Sequence, residues 1–243
     1  MNRPGHVAVG VAATSAVLYI MEPGSLLFSS CALLGAAVGS LLPDLDHKTG
    51  TISNWIQPSA SQRKWLNGIG VLLLFIGLFF WSKQSELAIG SLVVGTVALA
   101  MSRLRNIVLI GIGLLLFYNF ISDGHWLYAL FGIMFCILPF VKHRGLIHTP
   151  ELAVLLSTLL VLYPTESLWL AAVLLGGIIG WWMHLVGDAL GREGISSLFF
   201  PKVKVALRLL DNGSASERWL ARGCWLLSAV LGCWLFVDGM GIT

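Results

Sequence analysis

Charge is scarce in this chain: charged residues make up 11% of its 243 positions, while hydrophobic residues make up 57%. Soluble domains have an apolar fraction nearer about 45–50%, so a soluble globular protein is excluded. A mean hydropathy of +0.85 and 27 glycines point instead to an integral membrane protein. Cysteine is also sparse. Cys31, Cys136, Cys224 and Cys233 fall inside apolar runs without a Cys-x-x-Cys spacing, which leaves them as packing residues rather than a thiolate metal site. The apolar runs lack the polar alternation of barrel strands, so they read as helices, whose amides are satisfied within their own segment. No cleavage region follows Arg3, and the first run is expected to be a retained helix rather than a signal peptide. There is no internal repeat and no separate soluble region.

Apolar runs at 6–21, 25–42, 67–81, 86–101, 106–121, 126–141, 151–164, 168–190 and 220–237 predict an all-α, polytopic bundle of about nine transmembrane helices, eight at the fewest. The whole of 1–243 reads as a single integral membrane domain, with 67–121 as an inserted helical block free of charge within its spans. With the N-terminus in the cytoplasm, 14 of the 15 basic residues lie on the cytoplasmic side and only Lys83 lies outside. The net charge of +3 comes from these loops, so it implies no nucleic-acid partner. The partner is the bilayer, and the basic segment 202–222 is placed to touch anionic headgroups at about 1 kcal/mol per residue.

Against this apolar background, four of the six histidines fall in three polar knots at the ends of apolar runs. These are Pro43-Asp44-Leu45-Asp46-His47, His143-Arg144-Gly145-Leu146-Ile147-His148, and His184-x-x-x-Asp188. His6 opens the first run. All four regions reach the same membrane surface in the expected topology, whereas His125 falls on the other and is set aside. His184 and Asp188, four apart, share one helix face. Thr149-Pro150 is placed to cap and start a helix, which holds His148 near its N-terminus. Carboxylates at a membrane interior need partners, and the pooled donors are His6, Asp46, His47, His143, His148, His184 and Asp188. Imidazole and carboxylate without thiolate favour a divalent transition metal, zinc first, with manganese or iron as alternatives. The donors outnumber the three protein ligands of a usual catalytic zinc. Either two ions share the site, or some of the residues orient the ligands.

These motifs carry a resemblance. Gly5-His6, Leu42-Pro43-Asp44-Leu45-Asp46-His47, His143-Arg144-Gly145-x-x-His148-Thr149, and His184-x-x-x-Asp188 followed by Gly194-Ile195 and Phe200-Pro201 resemble the bacterial inner-membrane metal-dependent hydrolase family described as LexA-regulated. The likeness covers roughly 1–66 and 140–222. It departs from compact members in the multi-helix block between the motifs, and in Thr149 where serine is common. It implies a bacterial inner-membrane hydrolase. The order of donors also distantly resembles zinc-dependent phospholipase C and P1-type nucleases, which favours a phosphoester.

The resulting expectation is a metal-activated water attacking a phosphoester of a membrane lipid or lipid-linked substrate at the cytoplasmic surface. Asp44 is expected as general base or further ligand, Glu217 as a second candidate base, and Arg144 as the clamp on developing negative charge. A zinc amidase of the ceramidase type would use similar donors on an amide lipid. A metal or ion transporter would place its donors nearer the bilayer midplane.

Overall fold

Each long apolar run satisfies its backbone as an α-helix. The computed structural model describes residues 1–23, 25–46, 56–82, 85–141, 145–200 and 202–239. Among these described residues are nine α-helices: α1 Arg3–Met21, α2 Leu26–Gly39, α3 Ala60–Phe80, α4 Ser85–Ser102, α5 Leu104–Asp123, α6 Trp126–Ile137, α7 Pro150–Val161, α8 Leu168–Leu190 and α9 Ala215–Gly239. Short 3-10 turns at Pro43–Asp46 and Leu146–His148 follow α2 and precede α7. A two-residue antiparallel pair, β1 Ile195–Ser196 with β2 Lys204–Val205, lies between α8 and α9. The chain is an all-α polytopic membrane protein.

Six segments are long and apolar enough to cross a membrane: Arg3–Met21, Leu26–Asp46, Ala60–Phe80, Ser85–Ser102, Leu104–Asp123 and Leu168–Leu190. The other three expected spans differ for identifiable reasons. Pro139 lies just beyond the end of α6, and α7 runs from Pro150 to shortly before Pro164, so each has 12 residues. At about 1.5 Å per residue, a 12-residue helix covers about 18 Å, short of the roughly 30 Å hydrocarbon layer. The last helix, α9, has 25 residues but carries Glu217, Arg218 and Arg222 in its first turns.

Local capping accounts for the starts. The Asn2 side chain accepts the Gly5 N–H at 3.0 Å with Pro4 in the first turn of α1. Thr149 accepts the Leu152 N–H at 3.4 Å and is followed by Pro150, as the sequence predicts. Ser59 and Gln62 form a reciprocal capping box at α3.

The helices fall into two compact units, Met1–Asp44 with Lys142–Thr243, and Leu45–Val141. In the second unit, glycines seat one helix on the next. Gly70 and Gly95 bring α3 against α4, and Gly113 and Gly132 bring α5 against α6. Arg105, expected in a loop, is instead the second residue of α5 and is buried. Its guanidinium donates to the Leu45 carbonyl at 2.6 Å and to Asn106 Oδ1 at 3.2 Å.

The first unit is organised by residues four apart. On α8 the series is Ala172, Gly176, Gly180, His184, Asp188; from α2 it is Ala32, Ala36, Ser40, Asp44; on α1 it is His6, Gly10, Thr14, Leu18. Residues at this spacing share a face. Their small members let the backbones meet. A Cβ on Gly176 would lie 1.8 Å from the Ala32 carbonyl oxygen, and one on Gly39 would lie 2.2 Å from that of Gly177. Gly35 faces Val173 and Gly39 faces Gly177, so α2 and α8 run parallel. α1 runs against both, since Gly10 meets Ser40 and Gly180 while Gly187 meets His6. α9 follows the direction of α1: Glu217 is bonded to Asn2, and Trp234 packs edge-on against Tyr19 at 4.6 Å. Leu18, Ala32, Ala172 and Leu235 form the apolar core here. At the other end of the same helices lie the polar members of the three series.

Candidate metal centre

The close approach of α1, α2 and α8 gathers His6, Asp44, His184 and Asp188, and the turn before α7 adds His148. His184 is fully buried at 0% exposure, and His6, His148 and Asp188 are buried with it; Asp44 retains 21%. His148 Nε2 stands 3.4 Å from His184 Nε2, 3.7 Å from Asp188 Oδ2 and 3.8 Å from Asp44 Oδ1. His184 Nε2 is 3.5 Å from Asp188 Oδ2 and 3.9 Å from Asp44 Oδ1. Four donor atoms from three chain segments thus face one point. Two overlapping groups could hold an ion, His6 with His184 and Asp188, and Asp44 with His148 and His184.

The tautomer of His184 suits this use. Its Nδ1–H donates to the Ser40 carbonyl oxygen at 2.7 Å, which turns Nε2 toward the cluster. Ser40 is itself fixed, its hydroxyl donating to the Ala36 carbonyl at 2.7 Å and lying 3.4 Å from that of Gly180. The seam that joins α2 to α8 therefore also sets the ring. Separations can be compared with a metal's demands: bonds of about 2.0–2.1 Å in a tetrahedron put ligand atoms about 3.3 Å apart. The observed 3.4–3.9 Å lies just outside that value. The residues fit a divalent cation.

His6 sits differently. Its Nε2 is 3.5 Å from Asp188 Oδ1, the oxygen turned away from His148 and His184, and its ring stacks on His184 at 3.9 Å. The amino nitrogen of Met1 is 3.7 Å from the same oxygen. His6 Nδ1 is buried without a hydrogen bond, and Gly187 leaves the space for it, since a Cβ there would come within 2.8 Å. His6 can thus join His184 and Asp188 in holding an ion, and from the same position it steadies both side chains. Residues that orient ligands carry about 10–100-fold of metal affinity. His6→Ala is therefore expected to weaken metal binding by about that factor and leave stoichiometry unchanged at saturating metal, measured by competition with a fluorescent chelator.

The described residues place two further expected site residues, Asp46 and Glu217. His47, His143 and Arg144 are outside the described residues. Asp46 is buried but belongs to the second unit, where its charge interacts with that of Arg105. Glu217 is buried, and its two carboxylate oxygens accept the Asn2 and Gly213 N–H groups, which ties the start of α9 to the start of α1. Sequence reasoning missed Ser40 and Gly187, although the four-residue spacing was there to be read. Beside Asp188, a cavity of about 150 Å³ opens toward Gly191, Arg192, Asp211 and Asn212. Arg192 and Asp211 are paired there, with Nη2 to Oδ2 at 2.7 Å.

Fold and site together define a polytopic helical membrane protein with buried histidine and aspartate groups able to hold a metal ion. The chain belongs to the YdjM inner membrane protein family, which it matches over residues 1–242. Its place is accordingly the inner membrane. No curated protein and no solved structure matches it.

Proposed function

We propose that the chain is a metal-dependent hydrolase acting on a phosphoester of a lipid or lipid-linked substrate at the cytoplasmic surface, with nine crossings and a cytoplasmic N-terminus. The observation that carries this reading is the convergence of His148 Nε2, His184 Nε2, Asp44 Oδ1 and Asp188 Oδ2 within 3.4–3.9 Å of one another along the measured pairs. Two carboxylate oxygens and two imidazole nitrogens at one buried point make a donor set for a cation.

The roles follow from burial. His148, His184 and Asp188 are the most enclosed and hold the ion, a set of three like that of catalytic zinc sites. Asp44 is the most open of the four. It faces the accessible side, where it takes up the proton released from water during hydrolysis. A bound divalent cation supplies Lewis acidity and lowers the pKa of water toward about 7. Zinc suits the donors best, and manganese or iron would accept the same set. Arg144 is the proposed partner for developing negative charge. Glu217, with both oxygens engaged by amides, serves to fix α9.

The test is elemental mass spectrometry on detergent-purified protein, wild type beside His184→Ala, followed by turnover of phospholipids, isoprenoid phosphates and an amide lipid. About one or two equivalents of a transition metal are expected in the wild type. Phosphate release should depend on that metal and vanish in the variant. No metal after reconstitution with zinc and manganese would overturn the reading, and cleavage confined to the amide lipid would change the bond.

A further inference from the structure

Between α8 and α9 the chain leaves the membrane-crossing helices, yet it does not become polar. Leu198, Phe199, Phe200, Val203, Val205, Leu207 and Leu209 are all exposed, Phe199 at 73% and Phe200 at 67%. Exposed apolar patches of this kind mark interaction surfaces. Lys202, Lys204 and Arg208 are interleaved with them and also exposed or partly so, and none of the three forms an ion pair among the described residues. The acidic groups nearby are already engaged. Asp211 pairs with Arg192, Glu217 binds amides, and Glu151 accepts from the Ser197 hydroxyl and from the Leu198 N–H at 3.0 Å.

The segment is also held in place. Ile195 pairs with Val205 and Ser196 with Lys204. The return strand bonds to the end of α8, with Leu207 N–H donating to the Ala189 carbonyl at 2.8 Å and Leu209 N–H to that of Leu190 at 2.9 Å. These bonds satisfy carbonyls that a helix end leaves open. They also fix the height of the hairpin, because the end of a spanning helix lies at the membrane surface. Glu151, in the first turn of α7, is the second tether.

We infer that residues 195–200 and 202–209 are an interfacial anchor that seats in an anionic lipid surface, with Leu198, Phe199 and Phe200 in the acyl boundary and Lys202, Lys204 and Arg208 on headgroup phosphates. An apolar tip beside basic residues is the composition that binds such a surface. A second copy of the chain or a soluble protein partner would lack the reason for lysine and arginine to flank the aromatic pair. This anchor holds whether or not the metal centre is a hydrolase.

The test uses a nitroxide label at Phe199→Cys, in full-length protein with its four cysteines changed to alanine, reconstituted in nanodiscs containing phosphatidylglycerol. A label at Asn212→Cys, in the exposed loop before α9, reports water. Power saturation with oxygen and a water-soluble nickel chelate reads depth. Position 199 should favour oxygen and position 212 the nickel chelate. Lys202→Glu with Lys204→Glu should lower the oxygen-to-nickel ratio at 199 by about twofold or more in anionic discs. Nickel access at 199 equal to that at 212 would overturn the anchor. A label closed to both reagents would overturn it in favour of a protein contact. Leu198→Cys repeats the measurement if the aromatic change disturbs the hairpin.

Discussion

Asp188→Ala is expected to strip the protein of its metal while leaving it folded in the membrane. The carboxylate joins two sets of contacts, with Oδ2 turned to His148 and His184 and Oδ1 turned to His6. Its loss removes a donor and the brace that positions the imidazoles. Residues that merely orient ligands carry about 10–100-fold of affinity, so a shared donor should cost more than about 100-fold. Folding should survive, because Gly176 and Gly180 seat α8 more than a turn away. Metal content after dialysis, read beside the helical circular dichroism of the same sample, checks both halves. Wild-type metal content in the variant would remove Asp188 from the ion.

Gly176→Ala carries the largest expected effect on packing. Its new Cβ would lie 1.8 Å from the Ala32 carbonyl oxygen, against backbone that has no rotamer to change. α2 and α8 would have to separate by roughly 1 Å or more, an overpacking that costs about 1–3 kcal/mol or beyond. Asp44 and the Ser40 carbonyl travel with α2 while His184 stays with α8. The same substitution should therefore lower both the melting temperature and metal occupancy. Gly232→Ala on α9 is the control, since nothing lies within 4 Å of its Cβ. There the exchange should be neutral or stabilise the helix by about 0.5–1 kcal/mol. Equal melting temperatures for the two variants would show that the seam tolerates separation.

The helices and the cluster were legible in the sequence for different reasons. Long apolar runs can only satisfy their amides as helices, and this placed all six long spans. The donors were legible because imidazoles and carboxylates stand out where charge is rare. Boundaries were less so: Pro139 and Pro164 bound short helices that hydropathy alone merges into full-length spans. Glu217 reads as a candidate base because a lone acid near a metal site invites that role. Its bonds to the Asn2 and Gly213 amides, which join segments far apart in the chain, are not legible in the sequence. The hairpin was hidden, since two-residue strands leave no alternation to detect. What divides His6 from His148 is geometry, because each is a histidine beside an apolar run and only one faces Asp188 Oδ2.

The 3.8 Å between His148 and Asp44 also acts as a rule of counting. Chain that leaves a membrane surface at Asp44 and returns to it at His148 crosses an even number of times. α3, α4 and α5 are each long and apolar enough to cross, so the nine-crossing topology proposed above makes α6, with its 12 residues, the fourth crossing. Because α2 and α8 run parallel, α8 starts at the end opposite His148. In the same proposed topology, residues 149–167 would pass from one side to the other in a single traverse, through α7 and the chain that leads into α8. One contact between two side chains thus sets a parity that any path of this chain through the membrane has to meet.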